Sequence, residues 1–275
     1  MAKVKSGMGS SDRKKDELRE VGIKLDFTPN ALASLLYSQG DTQVLVCVTR
    51  APSLPRWFPR DSDRGWVHAE YSLLPGSTDT RFRRERGGAK GRTMEIERLV
   101  ARSLRGAVDL EELGPIALTV DCDILNADGG TRCASITAAS IGLRIAIRRL
   151  ISSGDGLPTD TRLTREDIRK GASKPEMSRE ERESHEISVM PMDVAALSVG
   201  VVDGMVMTDL DYVLDSNADV DMNVVMTSSG DFVEVQGTGE EATYTREELD
   251  SLIEAAMAGI SQLHEIQAGI LSDAS

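Results

Sequence analysis

The stretch 121–135, DCDILNADGGTRCAS, runs from alternating apolar residues through two glycines into Thr131 and Arg132, directly before a mostly apolar run. A helix that starts there presents unpaired N–H groups and about half a unit of positive charge, so an anion binds naturally. Gly129 and Gly130 let the backbone come close, Thr131 supplies a hydroxyl, and Arg132 supplies a planar fork of donors. Together they spell a phosphate cradle, although an ordinary strand-to-helix turn with a surface arginine has the same composition. A second glycine-rich stretch, RGGAKGRT (86–93), repeats the logic with Arg92 at the start of a basic segment; its other reading is a solvated loop. The third constellation is acidic: Asp209, Asp211, Asp215, Asp219 and Asp221. Such carboxylates repel one another unless a cation is present. Two brought to one spot can hold Mg²⁺ with waters retained, or one can act as a general acid, while a solvated charged face is the plain alternative. Arginines and a phosphate cradle beside clustered aspartates are the equipment for phosphoryl or nucleotidyl transfer. His68, His185 and His264 have no evident partner, so no serine-histidine or cysteine-histidine arrangement competes.

The elements that would position these groups can be read from periodicity. Alternation predicts strands over 43–49 and over 116–124. Over 92–108, Met94, Ile96, Leu99, Val100 and Leu104 fit one helical face while Arg98, Arg102 and Arg105 recur on another, predicting a basic amphipathic helix. The run 134–151 is apolar all round and predicts a helix buried between layers. Asp203-Gly204 between 194–202 and 205–210 is a hairpin signal, and Ser228 to Asp231 separates a second strand pair. Thr245 and Glu248 form a capping-box pattern ahead of a final helix. These readings give an α+β protein with helices packed on one side of mixed sheets. Pro52, Pro55 and Pro59 mark a surface loop, the polar segment 152–186 reads as an inserted hairpin or loop, and 1–17 reads as a flexible tail.

Composition bounds the partners. The formal charge of −13 argues against a polyanionic ligand until its distribution is considered. Between Arg81 and Arg105 there are eight Arg and one Lys against three Glu, so that stretch alone carries +6. No run approaches the roughly 18 apolar residues of a membrane helix, and the start lacks the apolar core of a secretory signal, so a cytoplasmic address is expected. Cys47, Cys122 and Cys133 show no metal-ligand spacing and read as buried thiols.

Four long blocks, GWVHAEYSLLPGSTDTR, GGAKGRTMEIERLVARSLRGAVDL, LTVDCDILNADGGTRCASITAAS and DLDYVLDSNADVDMNVVMT, closely resemble the ribonuclease PH family, and EVQGTGEEATYTREEL supplies a fifth. The resemblance implies a fold of two related α+β halves like ribosomal protein S5 domain 2, here a single unit over 18–271 with a charged insertion at about 153–186. It implies phosphorolysis: a phosphate-dependent 3′ to 5′ exoribonuclease, or tRNA nucleotidyltransferase, that trims tRNA precursor 3′ ends and releases nucleoside diphosphates. Carried over by motif, Arg92, Gly130, Thr131 and Arg132 are expected to bind the attacking phosphate. Asp215 and Asp221 are expected to be catalytic or to bind Mg²⁺, and Arg81, Arg83 and Arg84 to contact RNA. A ring-shaped homo-hexamer, a trimer of dimers, is implied as well.

The opening 16–49 follows the family pattern loosely, with Glu20 where a proline is usual. A catalytically silent, RNA-binding ring subunit of an exosome-like assembly is the alternative, and such a subunit is expected to lose phosphate or metal residues; none is missing here. Polynucleotide phosphorylase carries two such modules, and 275 residues hold one.

Overall fold

In the computed structural model, residues 13–59, 62–239 and 242–274 are described. The first half is a five-stranded sheet built from β1 (Val21–Leu25), β2 (Ala33–Gln39), β3 (Thr42–Arg50), β4 (Trp66–Leu73) and β5 (Ala117–Asn126) in the order β1-β2-β3-β5-β4. Neighbours are antiparallel except β4 and β5, which run parallel and are joined through α1 (Gly91–Ala107) and α2 (Leu110–Leu113). The parallel pair needs that crossover, because a tight turn can only return a strand antiparallel. α1 buries Ile96, Leu99, Val100 and Leu104 of the apolar face expected from spacing in the first core, while Met94 of that face is exposed.

α3 (Thr131–Ser152) follows β5 and is the central helix: seventeen of its 22 residues are buried. α4 (Arg165–Arg169) and α5 (Arg179–Val189) come next, then a four-stranded antiparallel sheet of β6 (Val194–Val202), β7 (Met205–Thr208), β8 (Val220–Thr227) and β9 (Phe232–Gly239), ordered β7-β6-β8-β9. α6 (Tyr212–Ser216) sits between β7 and β8, and α7 (Arg246–Asp273) closes the chain behind the Thr245–Glu248 capping box.

Helices do not lie on one side of each sheet: all nine residues of β6 are buried, Val194 and Ala196 in the core around α3, and Ala195, Leu197 and Val199 in the core around α7. A strand covered on both faces loses the alternation that reveals an exposed side. β7 pairs β6 only from Val199 onward, so the free edge of Val194 and Ala196 is completed by side chains. Ser140 Oγ accepts from Val194 N–H, Thr137 Oγ1 accepts from Ala196 N–H, and Gln267 of α7 donates to Val194 C=O.

The segment expected to be a hairpin or loop over 152–186 instead carries α4 and most of α5. Ser178 and Glu181 cap α5 reciprocally. Ion pairs then hold it to α3: Glu186 accepts from Arg144 at 3.2 Å and Arg148 at 2.8 Å, and Arg144 also reaches Asp193 at 2.7 Å. The helix is anchored by charge rather than by an apolar stripe, which is why its polar composition reads as loop. Of the expected tail, residues 1–12 lie outside the described residues, while 13–17 are tied down: Thr208 N–H donates to Lys15 C=O, and Arg13 donates to Asp209 C=O at 2.7 Å. Cys122 and Cys133 are buried and Cys47 is half-buried; burial pushes both buried thiols far above the usual range.

Candidate active site

The β5-to-α3 turn adopts the conformation its glycines allow. Gly129 (φ 74°) and Gly130 (φ 62°) are both left-handed, and a Cβ on Gly129 would lie 2.5 Å from the backbone of Asp211. That close approach seats the start of α6 against the turn. Gly130 is the N-cap of α3 and no side chain caps the helix, so the N–H groups of its first turn face the site. Thr42 fixes the turn from behind, its hydroxyl donating to Gly129 C=O at 2.7 Å and accepting from Asp128 N–H at 3.0 Å.

Of the predicted phosphate ligands, Thr131 touches the Tyr71 phenol, and the charges of Arg92 and Arg132 act on it. The hydroxyls of Tyr71 and Thr131 lie 2.9 Å apart. Burial raises the Tyr71 phenol pKa, while the Thr131 hydrogen bond and the charges of Arg92 and Arg132 oppose the rise. Arg92 is exposed in the first turn of α1 and Arg132 sits in the first turn of α3, so the charge at two helix starts is felt at Tyr71. Arg132 is oriented by Glu95, 3.0 Å from its Nη2, and Gln236 of β9 donates to the same carboxylate at 3.4 Å. The Nε of Arg132 has no hydrogen-bond partner among the described residues.

The acidic residues approach from the second half. Asn223 accepts from the Cys133 thiol at 3.1 Å, so its face of β8 is turned to the start of α3. Asp221, two residues earlier, lies on that face because strand side chains alternate. Asp215 stands exposed on α6, close enough that its charge adds to the elevation of the Cys133 thiol. No group of three or more His, Cys, Asp or Glu residues with metal-site geometry occurs among the described residues. Two carboxylates with neither sulfur nor imidazole fit Mg²⁺, which keeps several waters and shares substrate phosphates. Asp209 plays another part: it is 1% exposed at φ 57° and paired with Arg19 at 2.7 Å. Burial alone would raise its pKa, but the Arg19 guanidinium and its hydrogen bonds hold the carboxyl below the usual range.

Of the predicted RNA contacts, Arg84 lines a cavity of about 300 Å³ with Tyr71, Phe82, Arg86, Thr93 and Glu97, adjacent to the phosphate residues. Arg81 and Arg83 are exposed on the same loop and do not line it. Sequence reasoning missed Tyr71, Glu95 and Gln236. Glu95 alone left a signal, standing three residues after Arg92 on one helical face.

Two helix starts that carry arginines, with carboxylates approaching from α6 and β8 of the second half, belong to a protein of two α+β halves. Profiles of the 3′ exoribonuclease family match residues 17–148 as domain 1 and residues 194–259 as domain 2, and the chain belongs to this family. The unmatched interval contains α4 and α5. Within the family, the chain is 44% identical over 258 residues to ribonuclease PH of Rhodopirellula baltica, covering 94% of this chain and 95% of that one. It is 45% identical over 259 residues to ribonuclease PH of Corynebacterium kroppenstedtii, covering 94% and 90%. The fold matches the Archaeoglobus fulgidus exosome with RNA bound to the active site (TM-score 0.67, 23% identity, 92% of this chain and 90% of that one) and an archaeal exosome core (TM-score 0.64, 22% identity, 93% and 89%).

Proposed function

We propose that this chain shortens tRNA precursors from the 3′ end by phosphorolysis, releasing nucleoside diphosphates. The observation that carries the reading is the contact of Thr131 with the Tyr71 phenol, on which the charges of Arg92 and Arg132 also act, with the charge of Asp215 reaching Cys133 at the same helix start. Inorganic phosphate held by the two arginines and the α3 N-terminus attacks the phosphorus of the terminal phosphodiester. The new P–O bond forms as the bond to the 3′ oxygen of the penultimate nucleotide breaks, and that oxygen takes up a proton. One of Asp215 and Asp221 would supply the proton, and the other, ionised, would help to hold Mg²⁺, which when bound neutralises charge developing on the phosphoryl oxygens. Glu95 keeps the Arg132 fork aimed at the anion.

RNA approaches over the loop bearing Arg81, Arg83 and Arg84, so its affinity falls as salt rises. Assembly as a hexameric ring, a trimer of dimers, would gather each subunit's basic stretch along a shared path, and this reconciles a net charge of −13 with a polyanionic substrate. No helix among the described residues is long and apolar enough to cross a membrane; a cytoplasmic address suits the substrate. The test is incubation of the purified protein with Mg²⁺ and a tRNA carrying a short 3′ extension, with and without inorganic phosphate. Diphosphates released only with phosphate support the reading; monophosphates released without it refute it.

A further inference from the structure

Arg19 lies far from the reacting atoms in sequence and is 9% exposed, yet its guanidinium touches both halves of the site. Nη1 donates to Asp128 C=O at 2.5 Å, the residue directly before Gly129 and Gly130. Nη2 donates to Asp209 Oδ1 at 2.7 Å, and the Arg19 backbone N–H donates to Asp209 Oδ2 at 2.7 Å. Asp209 lies at the exit of β7, two residues before Asp211, which caps α6 and so sets where Asp215 stands.

The fit around this contact is tight. A Cβ on Gly130 would lie 3.1 Å from Arg19 Nη2, so the arginine forms the floor of the glycine turn. Asp209 is held in a left-handed conformation that non-glycine residues rarely adopt. It persists because its groups are tied on several sides: its N–H donates to Ser198 C=O at 2.8 Å, Arg13 donates to its C=O, and Arg19 grips both carboxylate oxygens. Strain kept in place by surrounding bonds and located beside a site is a device for holding geometry. The donors of one side chain thus join the phosphate turn of the first half to the acidic segment of the second.

We infer that Arg19, acting with Asp209, is a positioning residue that sets the spacing between the phosphate-binding turn and the α6 segment carrying Asp215. The inference rests on the phosphorolytic reading. Arg19 touches no substrate; it acts through Asp128 and Asp209. Arg19→Lys keeps a cation beside Asp209 but lacks the planar fork that spans both contacts.

The experiment compares wild type, Arg19→Lys, Arg19→Gln and Leu263→Ala, the last a cavity in the α7 core. Each is assayed for kcat and KM toward inorganic phosphate and toward RNA, alongside thermal unfolding. Arg19→Lys and Arg19→Gln are expected to lose about 10²-fold in kcat/KM for phosphate, the scale of a roughly ångström-sized misplacement, with KM for RNA changed less than about twofold. Leu263→Ala is expected to lower Tm without that selective loss. Unchanged phosphate kinetics in Arg19→Lys, equal losses toward phosphate and RNA, the same loss in Leu263→Ala, or failure of both Arg19 variants to fold would each overturn the inference and leave Arg19 a stability element. A wild-type protein without phosphate-dependent diphosphate release would instead sink the phosphorolytic reading.

Discussion

Arg132→Ala separates binding of the attacking anion from stability, and the structure sets the size of both effects. The Arg132 side chain is 27% exposed and its partner Glu95 39% exposed, with 3.0 Å between them. A pair that open to solvent contributes at most about 1 kcal/mol. For a chain of this size, Tm should therefore fall by less than about 4 °C. The phosphate contact is a different matter. Each hydrogen bond to a charged group contributes about 1.5–3 kcal/mol, and the guanidinium offers two to a phosphate in one plane. Losing both gives about 3–6 kcal/mol, or roughly a 10²–10⁴-fold fall in kcat/KM for phosphate. The assay is initial rate against phosphate concentration on a fixed tRNA precursor, paired with a thermal melt. Phosphate kinetics within a few-fold of wild type would refute the placement of the anion at this helix start. Loss of the fold would refute the claim that the residue serves binding alone.

Asp221→Ala and Asp215→Ala should each abolish Mg²⁺-dependent phosphorolysis with little change in Tm, since neither belongs to an apolar core; activity in either that still rises with Mg²⁺ as in wild type counts against the assigned carboxylates. Glu186→Ala removes the shared anion between Arg144 and Arg148, whose Arg144 side chain is 9% exposed, and should cost about 3 kcal/mol, near the lower end for a broken buried pair because Arg144 keeps Asp193. A calorimetric Tm within about 2 °C of wild type would show that α5 is not fastened this way. Because the folded-state pKa of Asp209 is depressed, its pairing stabilises fully above the ordinary carboxylate pKa of about 3.9 and is lost as pH falls below it toward the folded value. The slope of stability against pH below about 4 should therefore be shallower in Asp209→Asn, and an unchanged slope would exclude Asp209 as a contributor.

Local chemistry was legible in the residues. The alternation of β5, the Asp203-Gly204 hairpin and the Thr245–Glu248 capping box are each decided within a few positions, and each appears where the pattern put it. The glycine turn before α3 was legible for the same reason. What escaped depends on distance along the chain. Tyr71 meets Thr131 across 60 residues and Arg19 meets Asp209 across 190, and neither residue stands out among its neighbours. β6 hid its orientation because both faces are covered, and α5 hid its helix because Arg144 and Arg148, more than 30 residues earlier, supply the contacts that hold it.

In phosphorolysis inorganic phosphate itself attacks the RNA. Radiolabelled inorganic phosphate, supplied with unlabelled tRNA precursor and Mg²⁺, tests it most directly through the position of the label in the released nucleotides. Label is expected in the β-phosphate of nucleoside diphosphates, with Arg132→Ala incorporating far less. Unlabelled nucleoside monophosphates from an active protein would show that water is the nucleophile and would contradict it.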